Sequence, residues 1–351
     1  MRQYGVLVVD DSSFMRRCIS LIIERDPQFF VIGVARNGLD AIEKVQRLKP
    51  DIVTMDVEMP EMDGIAALEH IMKTCPIPVV MLSNYTEEGA KTTIKALELG
   101  AIDFFLKSVL IKEDVGQEIT NDFLDRLKAI AEGAKVPLQE NITQTERPQH
   151  NPESKVLLKE KTTDLLIIGC STGGPSALQS LLPRFPKETS VPIIVIQHMP
   201  PGFTAPLAER FDKICNLHVK EAADGDILEA GNIYIAPAGL QTFLQKKDDR
   251  SVILRIGDYS PVETVYKPSI NITLISAAQI FKDRLLTVIM TGMGNDGLMG
   301  CREVKKYNGK VIVEAEESCI VYGMPKVVYE AGLADIQVPL PYIFQQIIQH
   351  I

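Results

Sequence analysis

Residues 169–176 read Gly169-Cys170-Ser171-Thr172-Gly173-Gly174-Pro175-Ser176, between an apolar run at 165–168 and a helically spaced apolar run at 177–182. This pattern sets Ser171 on a tight turn from strand to helix. Glycines let the backbone turn sharply and leave the hydroxyl uncrowded, while free N–H groups at a helix start can stabilise an oxyanion. The chemistry suggested is nucleophilic attack on an acyl group. The stretch fits G-x-S-x-G, and a glycine-rich phosphate or dinucleotide loop is the competing reading. Against that reading, Ser171 stands where G-x-G-x-x-G has its second glycine, and the P-loop lysine is absent.

A serine nucleophile needs a base. Of the 5 histidines, His70 falls in a helical run, His150 in a stretch of linker composition and His350 at the chain end. His218 lies in alternating Leu217-His218-Val219-Lys220, the pattern of a half-exposed strand. His198 follows a buried-strand run at 193–196, in Gln197-His198-Met199-Pro200-Pro201-Gly202-Phe203, and so reaches the same sheet edge as Ser171. The third partner is a carboxylate that orients the imidazole and stabilises its cation. Asp296 is the natural candidate, in Met290-Thr291-Gly292-Met293-Gly294-Asn295-Asp296-Gly297 after the run 285–289. An Asp-Gly turn is a sufficient reason for such a residue, and spacing leaves Asp283 and Asp258 open. The chain order Ser, His, Asp departs from the Ser, acid, His order of α/β-hydrolases.

A second group of chemically capable residues lies near the start of the chain. Asp10 and Asp11 follow the run 6–9, and Asp56 follows the run 52–55. One Asp at a strand end caps a helix or makes a turn. Three carboxylates converging on one crevice repel one another unless a cation neutralises them, and oxygen ligands favour a hard ion such as Mg²⁺. Ser83, after 79–82, and Lys107, after 102–106, reach the same edge with a hydroxyl and a positive charge. Such a site can accept a phosphoryl group on Asp56.

These placements depend on the elements that carry them. Strands are expected at 6–9, 31–34, 52–55, 79–82 and 102–106, with helices at 14–24, 39–48, 65–72, 87–99 and 114–131; this alternation predicts a doubly wound parallel sheet. Apolar periodicity then fades, and Pro, Gln, Glu and Asn dominate to about residue 161. It restarts with strands at 164–168, 193–196, 232–235, 285–289 and 310–313, several of them apolar runs suited to burial on both faces. The expectation is an α/β chain of two doubly wound parallel-sheet domains, flavodoxin-like at 1–130 and Rossmann-like at 162–351, joined by a linker at 131–161. There is no repeat of fixed period.

The 351 residues suit two domains of ordinary size. A net charge of -9 gives no sequence-wide reason to expect nucleic acid as a partner. The 6 cysteines include no C-x-x-C pair, so neither zinc nor a disulfide framework is suggested. No apolar run approaches the ~20 residues that span a bilayer, and the N-terminus lacks a signal-peptide core. A cytoplasmic protein without membrane insertion is expected.

Val6-Leu7-Val8-Val9-Asp10-Asp11-Ser12 together with Met55-Asp56-Val57-Glu58-Met59-Pro60-Glu61-Met62-Asp63-Gly64 closely resembles response-regulator receivers over roughly residues 4–125. The resemblance implies Asp56 as phosphoacceptor, Asp10 and Asp11 as the acidic pair that holds Mg²⁺ with it, Ser83 as switch hydroxyl, Lys107 as phosphate-sensing cation and Phe104 as aromatic switch. Receivers usually follow that lysine with Pro, whereas Ser108 stands here.

Residues 164–337 resemble the catalytic domain of chemotaxis protein-glutamate methylesterases. The motifs are the Ser171 and His198 segments above, Glu221-Ala222-Ala223-Asp224-Gly225-Asp226, and Thr291-Gly292-Met293-Gly294-Asn295-Asp296-Gly297. Local differences are Lys267, where relatives commonly show Arg, and Asn271, where Asp is common. The resemblance implies a Ser171, His198, Asp296 triad, with the Met293 N–H contributing to the oxyanion hole and Thr172 near the nucleophile. It further implies hydrolysis of glutamate γ-methyl esters on chemotaxis receptors with release of methanol, deamidation of particular receptor glutamines, and a histidine kinase as phosphodonor. Ester hydrolysis would need no cofactor. Two rival readings are a receiver fused to a catalytically silent docking module, and a nucleotide-binding enzyme built on the glycine loops.

Overall fold

The computed structural model describes residues 2–84, 86–110, 117–133, 163–248 and 251–351. The expected linker falls outside them except for residues 131–133, which finish a helix.

In chain order the first sheet and its helices are β1 (Tyr4–Val9), α1 (Ser13–Ile23), β2 (Phe29–Ala35), α2 (Gly38–Leu48), β3 (Ile52–Asp56), α3 (Gly64–Thr74), β4 (Val79–Ser83), α4 (Glu87–Glu98), β5 (Asp103–Leu106), α5 (Lys107–Leu110) and α6 (Gln117–Gly133). The strands lie in the order β2-β1-β3-β4-β5, all parallel. β1, β3 and β4 are buried along their whole length, which is why they read as unbroken apolar runs. α1 to α4 begin at side-chain caps: Ser12, Asn37, Asp63 and Thr86 each accept the N–H of the residue three positions on. The start of the expected helix at 114–131 lies outside the described residues up to 116. The only cis peptide among them is Lys267–Pro268, so the Lys107–Ser108 bond is trans.

The second sheet is built from β6 (Leu165–Cys170), α7 (Gly174–Leu181), β7 (Ile193–Gln197), α8 (Thr204–Ile214), β8 (His218–Glu221), β9 (Asn232–Ile235), the antiparallel hairpin β10 (Gln241–Lys246) and β11 (Val252–Gly257), α9 (Ile270–Phe281), β12 (Leu285–Ile289), α10 (Leu298–Lys306), β13 (Lys310–Glu314), α11 (Met324–Glu330), β14 (Ile336–Val338) and α12 (Leu340–Ile348). Its order is β14-β13-β12-β6-β7-β9-β8, again all parallel. The order of winding reverses between β6 and β12, and the carboxyl ends of strands at such a switch point open a crevice. Among the described residues no helix is long and apolar enough to cross a membrane.

Here the helix starts are built differently. α7, α10 and α11 begin at Gly173, Gly297 and Gly323 with no side-chain cap, and α9 begins at Ser269, whose hydroxyl does not cap its own helix. Their first amides are left for partners elsewhere in the fold. The two units share a packed boundary, where α4 lies against α7 and α8.

Candidate active site and acidic pocket

Ser171 leaves β6 at the switch point. Its N–H donates to the Thr291 carbonyl (3.0 Å) and its carbonyl accepts the Gly174 N–H (2.7 Å). Gly173 sits at φ 78, in the left-handed region open to glycine. A Cβ at Gly174 would fall 2.0 Å from Gln197 Oε1, and one at Gly292 would fall 2.7 Å from the Ser171 Cβ. The turn thus has room for the serine side chain only because its neighbours have none. The adjacent Cys170 is not a rival nucleophile: it is fully buried, its thiol donates to Gln197 Oε1 (3.1 Å), and burial pushes its pKa well up, which keeps the thiol protonated.

Gln197, the last residue of β7, ties this turn to His198. Its Nε2 donates to the carbonyls of both Ser171 (3.0 Å) and His198 (2.9 Å), while the His198 N–H donates to the Cys170 carbonyl (3.1 Å). The imidazole meets Asp296 through Nε2, 2.8 Å from Oδ2. Its Nδ1 is buried and has no hydrogen-bond partner among the described residues. One ring face is covered by Tyr266, stacked at 4.5 Å between centroids and 9° between planes.

Asp296 is completely buried, which by itself would raise its pKa. The opposite wins: Oδ2 takes the His198 bond and the Ile270 N–H (2.7 Å), while Oδ1 takes the Ser269 hydroxyl and the Asn271 N–H, both at 2.9 Å. These donors, the His198 bond foremost, outweigh the burial and hold the carboxyl below its usual range. Asp296 thereby occupies the open amides of α9. The arrangement is reciprocal, because Asn271 Oδ1 accepts the N–H groups of Gly297 (3.0 Å) and Gly300 (2.8 Å) at the start of α10. The alternatives left open by spacing lie elsewhere: Asp258 is exposed and pairs with Lys267, and Asp283 is exposed before β12.

The loop after β12 is held by Thr291, whose N–H donates to the buried Glu314 (2.8 Å) and whose hydroxyl donates to the Thr172 carbonyl (3.0 Å). Gly292 is pinned to the Val321 carbonyl through its N–H (3.0 Å). The N–H groups of Met293 and Thr172 have no backbone acceptor among the described residues.

In the first sheet, ligand oxygens of Asp10, Asp11 and Asp56 lie within 4.8 Å of one another. Lys107 Nζ approaches Asp10 Oδ2 at 2.8 Å and Asp56 Oδ2 at 2.6 Å. Burial raises the Asp56 pKa to about 6 despite that lysine. Asp56 Oδ1 is buried and has no hydrogen-bond partner among the described residues. An orphaned carboxylate oxygen among hard oxygen donors fits a small divalent cation such as Mg²⁺. Ser83 is fully buried; it accepts the Thr93 hydroxyl at 2.8 Å and donates to the Asn84 carbonyl at 3.2 Å.

The two sites are joined by side chains. Asp103, at the start of β5, is buried and accepts the Thr172 hydroxyl (3.1 Å) and an Arg126 N–H (3.3 Å). Next to it, Phe104 stacks on Phe203 with centroids 4.5 Å apart, and Glu98 of α4 pairs with Arg210 of α8. Gln197, Tyr266, Ser269, Asp103 and Arg126 were not marked by sequence reasoning. Gln197 and Ser269 had a signal, since one adjoins His198 in its motif and the other precedes an apolar-periodic run as a helix-start residue. Tyr266 and Asp103 had none, because each acts on a residue distant in sequence.

Comparison with known proteins places this chain in a family. The CheB methylesterase family model matches residues 166–347, and the response regulator receiver domain model matches residues 6–117. A protein-glutamate methylesterase/protein-glutamine glutaminase of Desulfitobacterium hafniense (strain Y51) is 41% identical, covering 98% of this chain and 96% of that protein. One of Pyrococcus abyssi (strain GE5 / Orsay) is also 41% identical, over 99% of this chain and 94% of that protein. The crystal structure of the Thermotoga maritima CheB methylesterase catalytic domain superposes with a TM-score of 0.52 at 41% identity, covering 54% of this chain and 99% of that one. With its receiver, its CheB methylesterase domain and relatives matched along nearly their whole length, this chain belongs to the protein-glutamate methylesterase/protein-glutamine glutaminase family.

Proposed function

We propose that this chain is a phosphorylation-activated serine esterase that hydrolyses glutamate γ-methyl esters on methyl-accepting chemotaxis receptors, and deamidates receptor glutamines at the same serine. The observation that carries the reading is the 2.8 Å bond between His198 and the buried Asp296, beside the Ser171 turn at the switch point of the sheet.

In this reading Asp296 stays ionised and accepts from Nε2–H, which leaves the imidazole lone pair on Nδ1. Nδ1 takes the Ser171 proton as Oγ bonds to the ester carbonyl carbon, and the carbonyl π electrons move onto oxygen. The N–H groups of Met293 and Thr172 receive that oxyanion. Collapse breaks the bond to the methoxy oxygen, which leaves as methanol with the proton held by His198. A water deprotonated by the same nitrogen then releases the glutamate carboxylate and restores Ser171. With glutamine the leaving group is ammonia, and the remaining steps are the same.

Control is assigned to Asp56, phosphorylated by a chemotaxis histidine kinase. Asp10, Asp11 and Asp56 would hold Mg²⁺, which when bound neutralises charge on the phosphoryl oxygens. Lys107 supplies a further positive charge, and Ser83 and Phe104 are the switch residues. The Asp103–Thr172 and Phe104–Phe203 contacts support a receiver that covers the catalytic cleft and moves off when phosphorylated, a population shift. The place of action is the cytoplasm, and ester hydrolysis itself uses no cofactor. The test is methanol release from methylated receptor membranes by the native protein, Ser171→Ala and Asp56→Asn, with and without a small phosphodonor. The reading expects no release by the first variant and no stimulation of the second; undiminished release by Ser171→Ala overturns the nucleophile.

A further inference from the structure

Tyr266 lies outside every element that carries the Ser171, His198 and Asp296 set, yet its ring covers the imidazole almost in parallel, with planes 9° apart. Its hydroxyl reaches the loop after β12: a Cβ placed on Gly294 would lie 2.4 Å from the Tyr266 oxygen. The side chain therefore spans from the histidine to the loop that carries the Met293 amide.

The backbone on either side of Tyr266 is tied down at several points. Gln241 is fully buried and clamps it from one side: its Nε2 donates to the Tyr266 carbonyl (2.8 Å) and its Oε1 accepts the Ser269 N–H (2.9 Å). The Tyr266 N–H donates to Thr264 Oγ1 (3.1 Å), and the Lys267 carbonyl accepts the Gly239 N–H (3.0 Å). From the other side, Ser269 is bonded to Asp296 Oδ1 (2.9 Å). The same short segment thus grips the carboxylate at one end and the imidazole face at the other.

The Asp296 bond fixes one ring nitrogen, but coupled changes in the His198 χ1 and χ2 torsions can still tilt the ring about that contact and change the direction in which Nδ1 points. A flat aromatic wall removes that freedom and, once the ring is protonated, presents its π face to the cation. We infer that Tyr266 is a positioning residue for His198, acting through its ring rather than its hydroxyl; this rests on the assignment of Ser171 and His198 as nucleophile and base. Gln241 is the buffer that keeps the stack in register.

The test uses the full chain activated with a phosphodonor and compares Tyr266→Phe with Tyr266→Ala. Methanol release is resolved into kcat and KM, and the rate of Ser171 phosphonylation by a small fluorophosphonate is followed by intact mass. Tyr266→Ala is expected to lower kcat and the labelling rate about tenfold, with KM for receptor within about twofold, and Tyr266→Phe to keep both rates within about threefold of native. In protein carrying ¹³C at histidine Cε1, the His198 signal, identified by its loss in His198→Gln, should show an upfield ring-current shift that survives in Tyr266→Phe and disappears in Tyr266→Ala. Native rates in Tyr266→Ala, or equal losses in both variants, overturn the inference. Labelling that persists in Ser171→Ala would instead overturn the nucleophile assignment on which it rests.

Discussion

Asp296 carries two demands that pull against each other: it must be buried to stay rigid, and it must stay charged to stabilise an imidazolium. The five donors that close on it, from His198, Ser269, Ile270, Asn271 and the adjoining Gly297, satisfy both. Asp296→Asn keeps the shape but supplies an amide that cannot balance the cation and can donate to Nε2, which puts the ring proton on Nδ1, the nitrogen that must act as base. A fall in kcat on the order of 10³-fold or more is expected, with KM little changed; a loss smaller than tenfold in methanol release would remove Asp296 from the mechanism. The lowered pKa also has a stability consequence. A carboxyl whose folded pKa lies below its unfolded one contributes stability that is complete above the unfolded value and vanishes as pH falls through the folded value. The gap in urea midpoint between native protein and Asp296→Asn should therefore be widest near neutral pH and shrink below about pH 4. A gap that stays constant on acidification would mean the charge contributes nothing.

At the scale of elements, α9 and α10 exchange their caps, Asp296 serving one and Asn271 the other. Asn271→Ala leaves the Gly297 and Gly300 amides without that acceptor, at a cost of about 1–2 kcal/mol in urea unfolding. Asn271→Asp keeps the acceptor and adds a charge favoured at a helix start, so its midpoint should equal or exceed that of the native chain; a drop matching the alanine variant would show that the side chain is not capping. This exchange also marks where the sequence stops being legible. Strands such as β1, β6 and β12 are apolar runs because both faces are covered, and the residues at their carboxyl ends could be gathered on one edge from the pattern alone. The hairpin β10–β11, with half-exposed positions and a mixed pattern, offered no such run. Neither did β14, which is short and half-buried. For the same reason Gln241 and Tyr266 were silent: their roles come from tertiary contact with His198 and Ser269, and no period or spacing encodes that.

Across the whole molecule, Asp56 and Ser171 sit on different sheets, so control by phosphorylation requires the boundary between them to have two states. Among the contacts across it are a buried hydrogen bond from Thr172 to Asp103, an aromatic stack of Phe104 on Phe203, the Glu98–Arg210 ion pair, and apolar packing of Ile320 and Val321 against Phe123 and Ile130. The ion pair is the most informative to perturb, because both partners are partly exposed and away from either chemistry, and because its charges can be exchanged. Glu98→Lys sets two cations face to face, and a penalty of about 1 kcal/mol on the closed state raises the open fraction about fivefold when closed molecules predominate. Unphosphorylated Glu98→Lys should accordingly release methanol a few-fold faster than the native chain, with less further gain from a phosphodonor. Adding Arg210→Glu restores opposite charges and should return the low basal rate, a recovery that simple damage to either domain could not produce. Basal activity that stays native in the single variant, or fails to fall again in the double one, would place the switch on contacts other than this pair.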